Sequence, residues 1–308
     1  MGMKHLGYIG LPEHRGAGGF DHADVHAPTD RLYVAHTCND ALDVIDCAND
    51  RYVESMPGLK GVAGALVSEA RGLVFTSNRG ENSVSVFAPG DERDAAKIAV
   101  GVKPNGLAFD PARGILLAAN IGDPSIAGSH TVSIVDVARR RRVGDVEVPG
   151  GTRWAIYDAA RETFFVNISS PPRIIAIDAR DPFRVSKQFE IPVAGPHGLD
   201  LDPAPGRLLC ACDARVLLAI DATSGRVLAE CPLSGAPDVI FLQLQLHRLY
   251  VAIGDPGVID VIDTATMRRA EVVPTEAGAH TLALDRKRNK VYAFLPRSHR
   301  AAVFQDSP

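Results

Sequence analysis

Cysteine is scarce in this chain: five in 308 residues, Cys38, Cys47, Cys210, Cys212 and Cys231. The number is odd and no zinc-ribbon or CxxC spacing is present, which fits a reducing compartment. Aromatic residues make up 6% and Trp154 is the only tryptophan. No apolar run approaches the roughly 18 residues of a transmembrane helix, and Met1 to Leu11 lacks an apolar signal core. The expectation is a cytoplasmic chain with no membrane partner. Charge of one sign is also missing. A net charge of −4 exerts no pull toward nucleic acid, and the single basic run, Arg139 to Arg142, falls at a predicted hairpin turn and reads as solvated. There is no GxSxG elbow, P-loop or GxGxxG between strand and helix, which excludes the usual hydrolase, kinase and dehydrogenase grammars and implies no nucleotide or organic cofactor.

What is present is 46% hydrophobic residues against 23% charged, enough for a large core and no disordered segment. Self-comparison finds seven matching starts at Asp21, Ala63, Asn105, Arg153, His197, Asp238 and His280, spaced by 41 to 48 residues. That is the span of a four-stranded propeller blade. Five residues after each start stands a turn residue: His26, Ser68, Asp110, Asp158, Asp202, Gln243 and Asp285. An apolar strand follows, beginning at Leu32, Leu73, Ile115, Phe164, Leu208, Leu249 and Val291. A third strand ends in Asp46, Asp136, Asp178, Asp221 and Asp263 in five repeats, and a weaker fourth closes most blades.

The seventh repeat stops after its third strand, while Lys4 to Gly10 reads as an orphan strand. The ends complete each other. The fold predicted is all-β: a single seven-bladed β-propeller over 1–308, four antiparallel strands per blade, with segment 4–10 closing blade seven and removing an open sheet edge. The longest irregular stretch, Ile121 to His130, is an insertion between the second and third strands of blade three.

LYVAH, FTSN and LLAAN, each followed by a third strand that in most blades ends in VID-like residues, resemble the YVTN-repeat, YncE-like propellers along the whole chain. The resemblance implies the fold and leaves the chemistry open, because related propellers include ligand binders, lactonases and lyases.

The innermost strands line the axis, so the seven starts should ring one mouth of the channel: Asp21, Ala63, Asn105, Arg153, His197, Asp238 and His280, with His22 adjacent. Imidazole and carboxylate together suit a divalent metal such as zinc, iron, manganese or nickel; magnesium and calcium complete the candidates. PNGLAFD around Asn105 and PDV around Asp238 resemble the gluconolactonase and senescence-marker-protein propellers, which implies Asp21, Asn105 and Asp238 as ligands. Those enzymes have six blades and a Glu near the first position. PHGLDLD around His197 resembles the streptogramin-lyase propellers, which implies metal-assisted lactone opening; only His197 matches. The candidate metal set is therefore Asp21, Asn105, His197, Asp238 and His280.

Arg153 would either clamp an anionic ligand or neutralise Asp21 and Asp238, and Trp154 would serve as wedge or stacking platform. Pro12 to Gly19 leads from the closing strand to the ring, and its glycines would let it fold over the mouth and bring Glu13 and His14 as acid or base. His22, Arg153, Glu13 and His14 are the catalytic candidates. Other histidines rank lower: His36 as a turn partner, and His26, His130, His247 and His299 as solvated. Cys210 and Cys212 share one strand face and read as buried thiols. The expected function is binding of a divalent metal or small polar molecule at the mouth, extending to lactone hydrolysis or elimination. The alternative is a non-catalytic scaffold holding a protein on its blade-top loops.

Overall fold

Each sequence repeat becomes one four-stranded antiparallel sheet, and seven such sheets stand in a closed ring. The structure is a computed structural model describing residues 2–16 and 18–307; Met1, Ala17 and Pro308 lie outside the described residues. The innermost strands are Phe20–His26, Val62–Ser68, Pro104–Asp110, Thr152–Asp158, Pro196–Asp202, Pro237–Gln243 and Thr281–Asp285. His280 thus stands just before its strand. Lys4–Gly10 pairs antiparallel with Arg300–Gln305 and forms the outer strand of blade seven, so the chain's two ends interlock. The third-blade insertion runs between Ile115–Asn120 and Thr131–Asp136.

Local chemistry explains the repeat. The aspartates that end inner strands accept backbone N–H bonds from the following turn: Asp110 from Ala112, Asp158 from Ala160, Asp285 from Arg288. Those that end third strands act alike, as Asp221 does for Ser224 at 2.7 Å and Asp263 for Thr266 at 2.8 Å. Such side chains fold a hairpin turn on themselves, which is why an acid recurs at these places. Arg141 and Arg142 already belong to the strand Arg141–Glu147, so only the first half of the basic run is turn.

The core lies between blades. Apolar clusters fill the successive interfaces around the ring, such as Val239, Tyr250, Leu282 and Phe304 between blades six and seven. Tyrosines of three second strands reach across to acids of the next blade: Tyr33 donates to Glu92 at 3.0 Å, Tyr250 to Asp306 at 2.7 Å, and Tyr292 to Asp50 at 2.8 Å. A base two residues earlier pairs with the same acid: Arg31, Arg248 and Lys290. These triads brace the interfaces flanking the closure, and their hydrogen bonds satisfy buried charge that would otherwise cost stability. No helix is long and apolar enough to cross a membrane among the described residues.

Candidate ligand sites on the propeller axis

Packing near the axis begins with glycine. At the second position after each strand start, a Cβ on Gly64, Gly106 or Gly198 would run into the carbonyl oxygen of Asn105, Arg153 or Asp238 of the next blade. Glycine there lets neighbouring inner strands close up. Blades one and four carry His22 and Trp154 at that position instead, and these two rings meet at 4.0 Å between centroids, tilted by 38°. Blades one and four stand almost opposite in a seven-membered ring. The His22–Trp154 contact therefore spans the channel and divides it into a mouth and a cavity. His22 is 6% exposed, and burial lowers its pKa against the pull of Asp21 and Asp238.

The mouth holds four of the predicted ring residues, Asp21, Asn105, His197 and Asp238, in two hydrogen-bonded, charge-paired groups. Arg79 bonds both Asp21, at 3.1 Å, and Asn105. His197 lies between two carboxylates, with Nδ1 2.8 Å from Asp213 and Nε2 3.2 Å from Asp238. Burial opposes the charge on His197, but Asp238 and Asp213 overcome it and push the imidazole up to about 10. Burial would raise Asp238; the facing His197 reverses that and holds it at about 2. His280 turns its Nδ1 to Gly278 O at 2.8 Å. Arg153 makes no ion pair among the described residues, and its Nε is buried without a partner. No three of the ring's imidazoles and carboxylates bring ligand atoms within 4.8 Å of one another. Arg79 and Asp213 went unread because each stands just past a second strand, at a place the repeat leaves variable.

Glu13 and His14 go elsewhere. The loop bearing them packs on the junction of blades seven and one, where the Glu13 carbonyl accepts from Asn39 at 3.0 Å and the His14 ring touches Phe20, His36 and His299. Ala17 of that loop lies outside the described residues. His36, read as a turn partner, is fully buried with Nδ1 2.7 Å from Asp43. His26, read as solvated, is 5% exposed and bonds Thr29, because the turn after its strand folds back over it. Cys210 and Cys212 are fully buried with sulfurs 3.8 Å apart.

Beyond the plug, the opposite half of the channel is a cavity of about 330 Å³. Leu66, Phe109, Trp154, Ile156, Leu199 and Phe241 give it apolar walls, and Asp24 and Asp200 face into it. Both carboxylates occupy the same repeat position, which holds Leu66, Ala108, Ile156, Phe241 and Ala283 in the other blades. Each stitches two inner strands. Asp24 accepts from Val25 and from Val67 of the next blade, both at 2.8 Å, and Asp200 accepts from Leu201 at 2.7 Å and Leu242 at 2.8 Å. These bonds do not offset desolvation: burial drives Asp24 up to about 6 and raises Asp200 as well. Arg286, exposed at the rim with its guanidinium 5.8 Å from the Phe241 ring, makes no ion pair among the described residues. An acid at an otherwise apolar repeat position was the signal available in the sequence for this pair.

No family model and no curated protein matches the chain. Solved structures do. A chain of Kuenenia stuttgartiensis hydrazine synthase superposes with a TM-score of 0.81 at 15% identity, covering 96% of each chain. A chain of the mitotic checkpoint complex superposes with a TM-score of 0.82 at 9% identity, covering 99% of this chain and 92% of that one. At such identities the likeness establishes the seven-bladed propeller and nothing finer.

Proposed function

We propose that this propeller is a binding protein for a small amine-bearing molecule with an apolar body, seated in the axial cavity behind the Trp154–His22 plug. One observation carries the reading: two half-buried carboxylates, Asp24 and Asp200, face a cavity with largely apolar and aromatic walls, to which Glu69 adds a third acid and Arg286 the one base besides His22 among the described residues. Asp24, Asp200 and Glu69 against the single guanidinium of Arg286 leave a deficit of positive charge in the cavity, and an ammonium group would fill it. The aromatic floor and the Phe241 wall would take the apolar body, with cation–π attraction as a further contribution. The YVTN-type blade grammar fits such a role, since that repeat builds a frame and leaves the axis to individual side chains.

Trp154 is the only tryptophan and forms the cavity floor, so its fluorescence reports occupancy directly. Phenethylamine should quench or shift Trp154 emission saturably, whereas its alcohol and carboxylic acid counterparts should bind at least about tenfold more weakly, a difference of roughly 1.4 kcal/mol. Equal binding of all three, or preference for the acid, would sink the reading. The ligand-side comparison needs no variant and so does not depend on a mutant folding.

The unpaired Arg153 guanidinium favours a second reading at the opposite end, where a compact carboxylate or phosphate would bind at the mouth. An anion whose binding is abolished by Arg153→Gln and untouched by Asp200→Asn would belong to that site. The metal-assisted lactonase or lyase reading would need three ligand atoms to converge in the ring, and it draws no support from the ion-paired arrangement there. A chain that binds neither amine nor anion would act through its outer faces, as a scaffold does.

A further inference from the structure

We infer that His14, His36 and Cys38 form a divalent-metal site of the zinc type at the junction of blades seven and one, separate from the axis. The Nδ1 and Nε2 atoms of the two imidazoles and the Cys38 sulfur offer one ligand atom each within 4.8 Å of one another, the only such group of three among the described residues. Zinc with nitrogen and sulfur donors holds them about 3.3–3.8 Å apart, judged from bond lengths of about 2.0–2.3 Å. His14 stands on the irregular loop after the closing strand and Cys38 on the single 3-10 turn Thr37–Asn39, so the remaining contraction falls outside the sheets.

The second observation is two orphaned nitrogens. His36 is fully buried, and its Nδ1 faces Asp43 Oδ2 at 2.7 Å, while Asp43 Oδ1 accepts from Ser55 at 2.5 Å. The carboxylate thus fixes the tautomer with hydrogen on Nδ1, leaving the His36 Nε2 lone pair free; that atom is buried and has no partner. His14 Nε2 is likewise buried and unpartnered. Two unsatisfied imidazole nitrogens buried together are costly unless something binds them. A carboxylate behind a histidine whose other nitrogen is free is the arrangement that orients a metal ligand. Cys38 has only a weak contact, its sulfur 3.8 Å from Asn39 Oδ1, and would release its proton to solvent on coordination. Three protein donors leave a fourth position for water.

The placement gives the site a purpose. His14 follows the closing strand Lys4–Gly10 of blade seven, whereas His36 and Cys38 end and follow the second strand Arg31–His36 of blade one. A metal held by all three would pin the connection that follows the closing strand onto blade one, beside the blade in which the two ends of the chain meet. Binding to the folded state alone would raise its thermal midpoint.

The test uses full-length protein purified without a metal-binding tag, stripped by chelator under reducing conditions, and titrated with cobalt(II). One equivalent should bind with the near-ultraviolet absorption of a thiolate–cobalt bond, and zinc should displace it. Cys38→Ser should abolish that absorption and weaken zinc at least about tenfold. His14→Ala should weaken zinc by a similar factor. Cys38 is the only half-exposed cysteine, the other four being buried, so zinc should also slow modification of the single accessible thiol. The wild-type spectrum and thiol protection stand even if a variant fails to fold. Absence of the thiolate absorption in wild type would overturn the assignment, as would a metal retained by Cys38→Ser and His14→Ala but lost from His197→Ala/His280→Ala.

Discussion

The two ends of the axial channel treat charge in opposite ways. At the mouth, ionised groups are stabilised: His197 is pushed up to about 10 by Asp238 and Asp213, and Asp238 is held at about 2 by His197. In the cavity, ionised groups are penalised: Asp24 rises to about 6 and Asp200 is raised too, both by burial. The mouth pairs most of its charges internally, with Arg153 the exception. The cavity holds charge that the protein does not neutralise, and such uncompensated groups in a cleft mark a place built for a ligand. A ring of internally paired polar residues at a channel mouth is thus weaker grounds for binding than two acids in a largely apolar cavity that have no ion-pair partner among the described residues.

Removing the partition should have the largest effect. Trp154→Ala deletes a side chain that packs on two interblade clusters and joins the two halves of the channel. A loss of about 3 kcal/mol in urea unfolding is expected. A loss below about 1 kcal/mol would mean that the His22–Trp154 contact does not carry the packing assigned to it.

The mouth comes next. Because the folded pKa of His197 lies above the unfolded value of roughly 6.5, its contribution is fully present below that pH and fades as pH rises through about 10. The depressed Asp238 is the reciprocal of the same pair, its share lost only as pH falls through about 2. His197→Gln should therefore cost on the order of 2 kcal/mol near pH 6, discounted for the partly solvated mouth, and almost nothing above pH 10. A cost independent of pH would show packing and not charge to be at work.

The cavity should give the smallest change, in a more acidic window but with the same sign, stability falling as pH rises. Between about pH 4 and 6 the folded protein keeps a proton on Asp24 that the unfolded chain has released, so stability falls as pH rises through that window. Asp24→Asn should flatten this slope and leave stability at pH 7 within about 1 kcal/mol of wild type, since the amide oxygen still accepts one backbone bond. An unchanged slope would place the titrating group elsewhere.

How much of this was legible beforehand varies with the range of the interaction. The blade grammar is local: an apolar strand of six residues, then an aspartate such as Asp221 or Asp263 folding its own turn. The closing strand was legible because segment 4–10 lacked a blade of its own. The mouth was half legible. Asp21, Asn105, His197 and Asp238 were named from their repeat position, but their partners Arg79 and Asp213 were not, since these come from loops beyond the second strand.

The sequence by itself therefore determined the number of blades, the order of strands within each and the interlocking of the ends, because period, alternation and turn chemistry act within about forty residues. Only the tertiary structure decided which side chains meet. His22 and Trp154 touch because ring closure sets blade one against blade four. Asp24 and Asp200 share a cavity because closure of the ring sets the inner strands of blades one and five around the same axial channel. His14 reaches His36 and Cys38 because the closing strand delivers its loop onto blade one. These contacts depend on the curvature and closure of the whole ring, and no local pattern encodes that.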